Sequence, residues 1–326
     1  MIITRAPFRI SFFGGGTDYP EWFKNYGGAF LSLSIDKYAY ITLRVKPAFL
    51  ETRYRVSWRL QEDVSKISQI KHPIVRHSLI ENKFDTGVDI TYLGDLPGGT
   101  GVGSSSAFTV ALNHALMSAQ DMNPTPYDLS KIAYKIERDR LNEVIGIQDQ
   151  IASSFGGFNY VTIENDGTYK INNLSMSEKN TNDFLDRCVL FYTGISRRAS
   201  SVAEKAVVNI KRKENTLHKM RELVEEGYQA LSKNDFDNFG LLLHENWLLK
   251  KSISDEISNH RIDEIYETGL KNGAIGGKLL GAGSGGFILF LCKNSGQQKD
   301  FIRKFSSDEI VQFKNSKKGS EVIFKD

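Results

Sequence analysis

Apolar and polar residues alternate in three stretches near the start of the chain. In "AYITLRV", Ala39, Ile41, Leu43 and Val45 share one face and Tyr40, Thr42 and Arg44 the other, which is the period of a half-buried strand. "YRVSW" and "VDITYL" pass the same test, so the first 95 residues are predicted to be strand-rich. The pattern then changes. After "LPGGTGVGSSSA", Phe108, Ala111, Leu112, Ala115, Leu116 and Ala119 recur at three and four, predicting an amphipathic helix from about Ser105. A second helix, preceded by "NPTP", is predicted from Tyr127 to Leu141. "GGFNYVTIENDGTYKINNL" reads as a strand, an Asn-Asp-Gly turn and another strand, and the polar "SMSEKNTND" behind it as a linker.

Beyond the linker the order is different. "RCVLFYTG" is a predicted strand, and a long helical pattern runs from Ala203 to Leu231. Helices around Asn238–Lys251 and Ile262–Lys271 precede the strand "GFILFLC", and a short helix with the strands "EIVQF" and "EVIFK" closes the chain. These split strand and helix units predict a ferredoxin-like α+β second domain over 186–326, behind a strand-rich domain over 1–180.

Composition narrows the function classes. A chain of 326 residues with 40% hydrophobic and 25% charged residues can bury a large core and fits two globular domains. A net charge of +3, with no basic block longer than "KRK", argues against a nucleic-acid partner. Arg5 and Arg9 interrupt any early apolar run, and "FILFLC" is far shorter than the roughly 20 residues of a membrane helix, so neither a signal peptide nor a membrane partner is expected. Cys188 and Cys292 lie in no metal-like cluster, and the expectation is a reduced, zinc-free cytoplasmic protein.

The candidate chemistry lies in five segments. "LPGGTGVGSSSA" follows a strand and opens a helix, so its glycines and unpaired amides offer an anion site, but Ser104 stands where a P-loop carries lysine. Glu137 and, twelve residues on, Asp149 between Gln148 and Gln150 supply two carboxylates, one for Mg²⁺ and one for an attacking hydroxyl; an acid on a helix also reads as a solvated face. "RAPFRISFFGGGTDYPEW" puts Arg9 in a strand ahead of Gly14, Gly15 and Gly16, while Asp18-x-x-Glu21 with Pro20 reads equally as a capping box. "KLLGAGSGGFILF" matches a dinucleotide fingerprint at Gly281, Gly283 and Gly286, but it precedes a strand, which rules that reading out. In "YTGISRRASSVAEK", Arg197 and Arg198 flank a predicted helix start and can fork onto a phosphate.

In this order the segments resemble the GHMP kinases, the small-molecule kinases named for galactose, homoserine, mevalonate and phosphomevalonate. Within that family, "RAPFRISFFGGGTDYPEW", "IERDRLNEVIGIQDQ", "FYTGISRRAS" and "NGAIGGKLLGAGSGGF" are most similar to the heptose 7-phosphate kinases. The resemblance implies an ATP-dependent, Mg²⁺-requiring sugar 1-kinase that makes heptose 1,7-bisphosphate for GDP-heptose and surface polysaccharide. A kinase of unphosphorylated fucose or galactose and a non-catalytic sugar sensor are the alternatives, and a homodimer is open. It further implies that Pro97, Gly98, Gly99, Gly101, Gly103, Ser104, Ser105 and Ser106 hold the nucleotide, with Val102 where leucine or methionine is usual. Ser105 and Glu137 would hold the metal. Asp149 would face the anomeric hydroxyl as base or orienter, with Arg9 beside it. Gly14, Gly15, Gly16, Thr17, Asp18, Arg197, Arg198 and Gly283 would meet the sugar phosphate. Some cation must meet its phosphate, and Arg197, Arg198, or lysines such as Lys250 and Lys251, are the candidates. Gly15 and Gly16 replace a glutamate and a histidine of the galactokinase motif, which leaves room for a bulkier or phosphorylated sugar.

Overall fold

The computed structural model describes the chain except residues 48, 51, 175, 197–206, 208–209 and 306–308. The long strands β1 (Ile2–Phe13) and β2 (Gly28–Val45) form the spine of the first sheet. β3 (Tyr54–Ser57), β4 (Gln61–Val64), β5 (Val88–Gly94), β6 (Phe158–Ile163) and β7 (Tyr169–Asn173) extend it. β2 pairs with β1 along its length, but with β6 through residues 28–33 and with β5 through residues 39–45. The change of partner coincides with a register shift at Pro7/Phe8 of β1, where proline has no amide to give to the ladder.

α1 (Pro20–Tyr26), α2 (Pro73–Glu81), α3 (Ser104–Ala119), α4 (Pro126–Tyr134) and α5 (Gln148–Phe155) belong to this half. The second predicted helix is therefore α4, which continues into a π-helical turn over Lys135–Arg140. α6 (Glu178–Leu185) occupies the stretch expected to be a linker. Ser177 caps it by accepting the Asn180 amide at 3.1 Å, and Phe184 is buried against Phe12, Phe158 and Phe239.

The second sheet is antiparallel in the order β11-β8-β10-β9, from β8 (Cys188–Tyr192), β9 (Ala274–Leu279), β10 (Phe287–Cys292) and β11 (Ile310–Val311). α7 (Glu214–Ser232), α8 (Phe236–Lys251), α9 (His260–Lys271) and α10 (Ser295–Ile302) accompany it, an α+β arrangement. The predicted helix from Ala203 is described only from 210 onward, apart from Val207. The last strand, β12 (Glu321–Lys325), returns to the first sheet beside β1, not to the second. Arg5 and Glu321 pair across that edge at 2.9 Å.

β1 joins the halves. α3 and α5 from the first half and α7 and α8 from the second all contact it, so residues 6–13 are buried on both faces while residues 2–5 alternate. One apolar cluster consequently runs from Phe8 and Phe12 through Phe184 to Phe239 and Leu289. Among the described residues, no helix is long and apolar enough to cross a membrane.

Candidate active site

Three elements end at one cavity of about 630 Å³: the loop into α3, the turn after β1, and the first turn of α5. The loop is held from behind. Arg9 donates its amide to Val102 O at 2.9 Å, and Phe287 donates its amide to Thr100 O at 3.1 Å. The Val102 side chain is buried in the core beneath the loop rather than facing the cavity. At Gly101, φ is +80° and a Cβ would stand 2.5 Å from Leu280 O, so glycine is required for this close approach. The residue before α3 is Gly103, and α3 has no side-chain cap. Its first amides are left for an anion, at the positive end of the helix.

Glu137 sits in the π-helical turn, 1% exposed. Its carboxylate accepts from Ser105 Oγ at 3.3 Å, Ser106 Oγ at 2.8 Å, Thr109 Oγ1 at 2.7 Å and Gln150 Nε2. These donors are all neutral, and burial pushes the Glu137 carboxyl up to about 7. Gln150 Oε1 is buried beside it with no partner. A carboxylate held by neutral donors next to an orphaned oxygen and a serine hydroxyl fits a hard divalent cation such as Mg²⁺. The solvated-face reading of Glu137 does not hold.

Asp149 lies in the first turn of α5, with Arg9 forked across it: Nε to Oδ1 and Nη2 to Oδ2, both at 2.8 Å. The third arm of Arg9 reaches Gly101 O and so ties the aspartate to the loop. Asp18 is also buried. Its oxygens accept from the amides of Gly16 at 3.0 Å and Gln148 at 3.3 Å. Burial and then the Asp149 charge push its carboxyl up to about 6. It does not cap α1, which is preceded by Tyr19 without a side-chain cap bond, and this overturns the capping-box reading; the helix amide it accepts belongs to the start of α5. Gly146 is required where it stands, since a Cβ there would lie 1.9 Å from Asp18 Oδ2.

The expected site residues divide by position. Arg9, Gly15, Gly16, Asp18, Gly99, Gly101, Gly103, Ser104, Ser105, Ser106, Glu137 and Asp149 line the cavity. Gly14 and Thr17 stand behind the turn, where Thr17 Oγ1 donates to Ala29 O at 2.7 Å. Pro97 and Gly98 lie at the outer end of the loop, with Pro97 O accepting from Thr100 Oγ1 at 2.7 Å. Gly283 abuts Ile257, and Arg197 and Arg198 lie outside the described residues. Lys250 lines the cavity, but Lys251 turns away to Asp263 at 2.7 Å. Sequence reasoning missed Lys278, which also lines the cavity and whose one signal is a charge inside the apolar run "AIGGKLL". It also passed over Gln148, whose Nε2 is a buried donor without a partner.

Residues 70–157 match the model of the GHMP kinases N terminal domain, and residues 228–310 match that of the GHMP kinases C terminal. The chain is 29% identical over 325 residues to a D-glycero-alpha-D-manno-heptose 7-phosphate kinase of Campylobacter jejuni, covering 94% of this chain and 96% of that protein. A galactokinase of Thermotoga maritima is 26% identical, with coverage of 98% and 96%. Among solved structures, one described as a D-glycero-D-manno-heptose 1-phosphate kinase from Bacteroides thetaiotaomicron superposes with a TM-score of 0.83 at 24% identity, covering 100% of this chain and 99% of that one.

Proposed function

The chain belongs to the GHMP kinase family and is a sugar kinase, a phosphotransferase with an alcohol acceptor, and from that premise we propose that it transfers the γ-phosphoryl group of ATP to the anomeric hydroxyl of D-glycero-D-manno-heptose 7-phosphate. The products are ADP and heptose 1,7-bisphosphate, the latter a precursor to a GDP-heptose for surface polysaccharide. The observation that carries the reading is the convergence of the uncapped start of α3, buried Glu137 and the Arg9–Asp149 fork on one cavity.

The amides at the start of α3 and in the glycine loop bind the ATP phosphates without the lysine of a P-loop. Glu137, Ser105 and Gln150 Oε1 would hold Mg²⁺, which when bound supplies positive charge against the phosphate oxygens. Arg9 fixes both oxygens of Asp149, whose outward lone pairs accept the hydrogen bond of the anomeric hydroxyl. Aligned in this way, the hydroxyl oxygen forms its bond to the γ-phosphorus as the bond to the bridging oxygen of ADP breaks, and its proton passes toward Asp149. Asp18 and the Gln148 side-chain Nε2 face the remaining sugar hydroxyls as acceptor and donor.

The test is ADP release over a panel of D-glycero-D-manno-heptose 7-phosphate, galactose, fucose and hexose 6-phosphates, with identification of the product oxygen that carries the new phosphate. Preference for the heptose 7-phosphate and transfer to O1 are expected. Equal turnover of galactose or fucose, or transfer to another oxygen, overturns the assignment.

A further inference from the structure

Two lysines lie buried in the wall of the cavity, Lys250 held by the segment that abuts Gly101 of the loop. Lys250, in the last turn of α8, is 9% exposed and donates from Nζ to the carbonyls of Leu279 at 2.8 Å and Gly281 at 2.6 Å. Lys278, in β9, is 2% exposed and donates to Phe12 O at 2.8 Å. Carbonyls orient an ammonium without neutralising it. Among the described residues neither lysine forms an ion pair, whereas neighbouring Lys251 does. An ammonium has three donors, so one remains on Lys250 and two on Lys278. Unpaired buried charge is costly, and here two such charges share one wall with Arg9, whose fork is already taken by Asp149. Burial and the neighbouring cations lower both ammonium groups, Lys250 to about 7, while the Asp18 charge works against this at Lys278.

The position of the pair identifies what it faces. Phe12, which anchors Lys278, lies two residues before the Gly14–Gly16 turn, and a Cβ at Gly15 would meet nothing within 4 Å. The loop side of the cavity has its own anion site in the amides of α3, and the reacting hydroxyl is assigned to Asp149. Lys278 is thus anchored beside the Gly14–Gly16 turn and Lys250 beside Gly281, and both keep donors that the protein does not use.

We propose that Lys250 and Lys278 form a subsite for a phosphomonoester already carried by the acceptor, separate from the site of the ATP phosphates. The proposal rests on the sugar-phosphate reading above. The shared chemistry, a terminal phosphate, has two sources, ATP and acceptor, and the kinetic arms separate them.

Lys250→Met and Lys278→Met keep chain length and remove the charge. Each is assayed with D-glycero-D-manno-heptose 7-phosphate and with unphosphorylated D-glycero-D-manno-heptose. KM for the phosphorylated sugar is expected to rise about 10- to 100-fold, the loss of one charge-assisted hydrogen bond, with KM for ATP and for the unphosphorylated sugar unchanged. A rise in KM for ATP, or an equal loss with both sugars, overturns the subsite. A second measurement needs no variant: inorganic phosphate inhibits wild-type protein competitively against the sugar phosphate and not against ATP. Competition against ATP alone overturns the proposal. Equal kcat/KM of wild type on both sugars defeats the sugar-phosphate reading itself. A wild-type preference that survives in both variants defeats the lysine subsite alone.

Discussion

At the scale of single residues, the reaction centre depends on one planar contact. Arg9 meets both oxygens of Asp149 and a loop carbonyl with one guanidinium, a geometry that an ammonium cannot copy. Arg9→Lys is therefore expected to lower kcat far more than it raises either KM, because it releases the orientation of Asp149 without emptying the binding sites. Asp149→Ala removes the acceptor altogether, and ADP release is expected to fall by about 100-fold or more, the low end for a positioned general base. Retention of more than a tenth of wild-type turnover in Asp149→Ala counts against its role. Glu137→Gln keeps the shape of the pocket and deletes its charge. The Mg²⁺ concentration for half-maximal activity is expected to rise at least about 10-fold, since even outer-shell changes cost that much in metal affinity.

At the scale of elements, the loop into α3 depends on Gly103, with φ +73° and a Cβ position 3.2 Å from Arg9 Cγ and 3.5 Å from Asp149 Oδ2. Gly103→Ala is expected to cost about 1 kcal/mol in unfolding free energy and to raise KM for ATP, because the strained backbone and the new methyl press on both the loop and the ion pair. Denaturant titration beside ATP kinetics tests this; unchanged values in both defeat it. This loop was legible in the sequence because its signal is local: glycines, a preceding strand and an apolar period of three to four behind it. α6 was not. Its sequence is polar on nearly every face, and the hold on it comes from one ring, Phe184, packed against aromatic residues far away in the chain. Phe184→Ala is expected to destabilise the fold by about 3–5 kcal/mol, out of proportion to the polarity of its helix. β12 was legible as a strand, but its place beside β1 arises from pairing across nearly the whole chain, which no local period encodes. Lys278 was missed for a related reason. One charge in an apolar strand reads as its solvent face, and here that face lies inside the molecule.

At the scale of the whole molecule, the site concentrates buried ionisable groups between the two halves, and this gives the ligand-free protein a definite pH dependence. Asp18 and Glu137 keep their protons up to about 6 and about 7 when folded, against ordinary values of 3.8 and 4.5. Between those limits the folded state binds more protons than the unfolded chain, so stability falls as pH rises toward 7. Lys250 has the opposite effect. Its ammonium is lowered from 10.5 to about 7, so from there up to 10.5 the unfolded chain binds more protons and stability rises with pH; the lowered Lys278 acts in the same direction. The two windows meet near neutrality, where carboxylates and ammoniums bear their desolvation cost together. Each titrating group contributes a slope of up to about 1.4 kcal/mol per pH unit in its own window. A Glu137→Gln/Lys250→Met variant lacks one group from each window, so its gain in melting temperature over wild type, measured without ligands from pH 5 to pH 9, is expected to be largest near pH 7. A gain that is flat across that range would mean that the cost of the site is set elsewhere. A maximum near 7 would tie the instability of the ligand-free protein to the charges buried around its cavity.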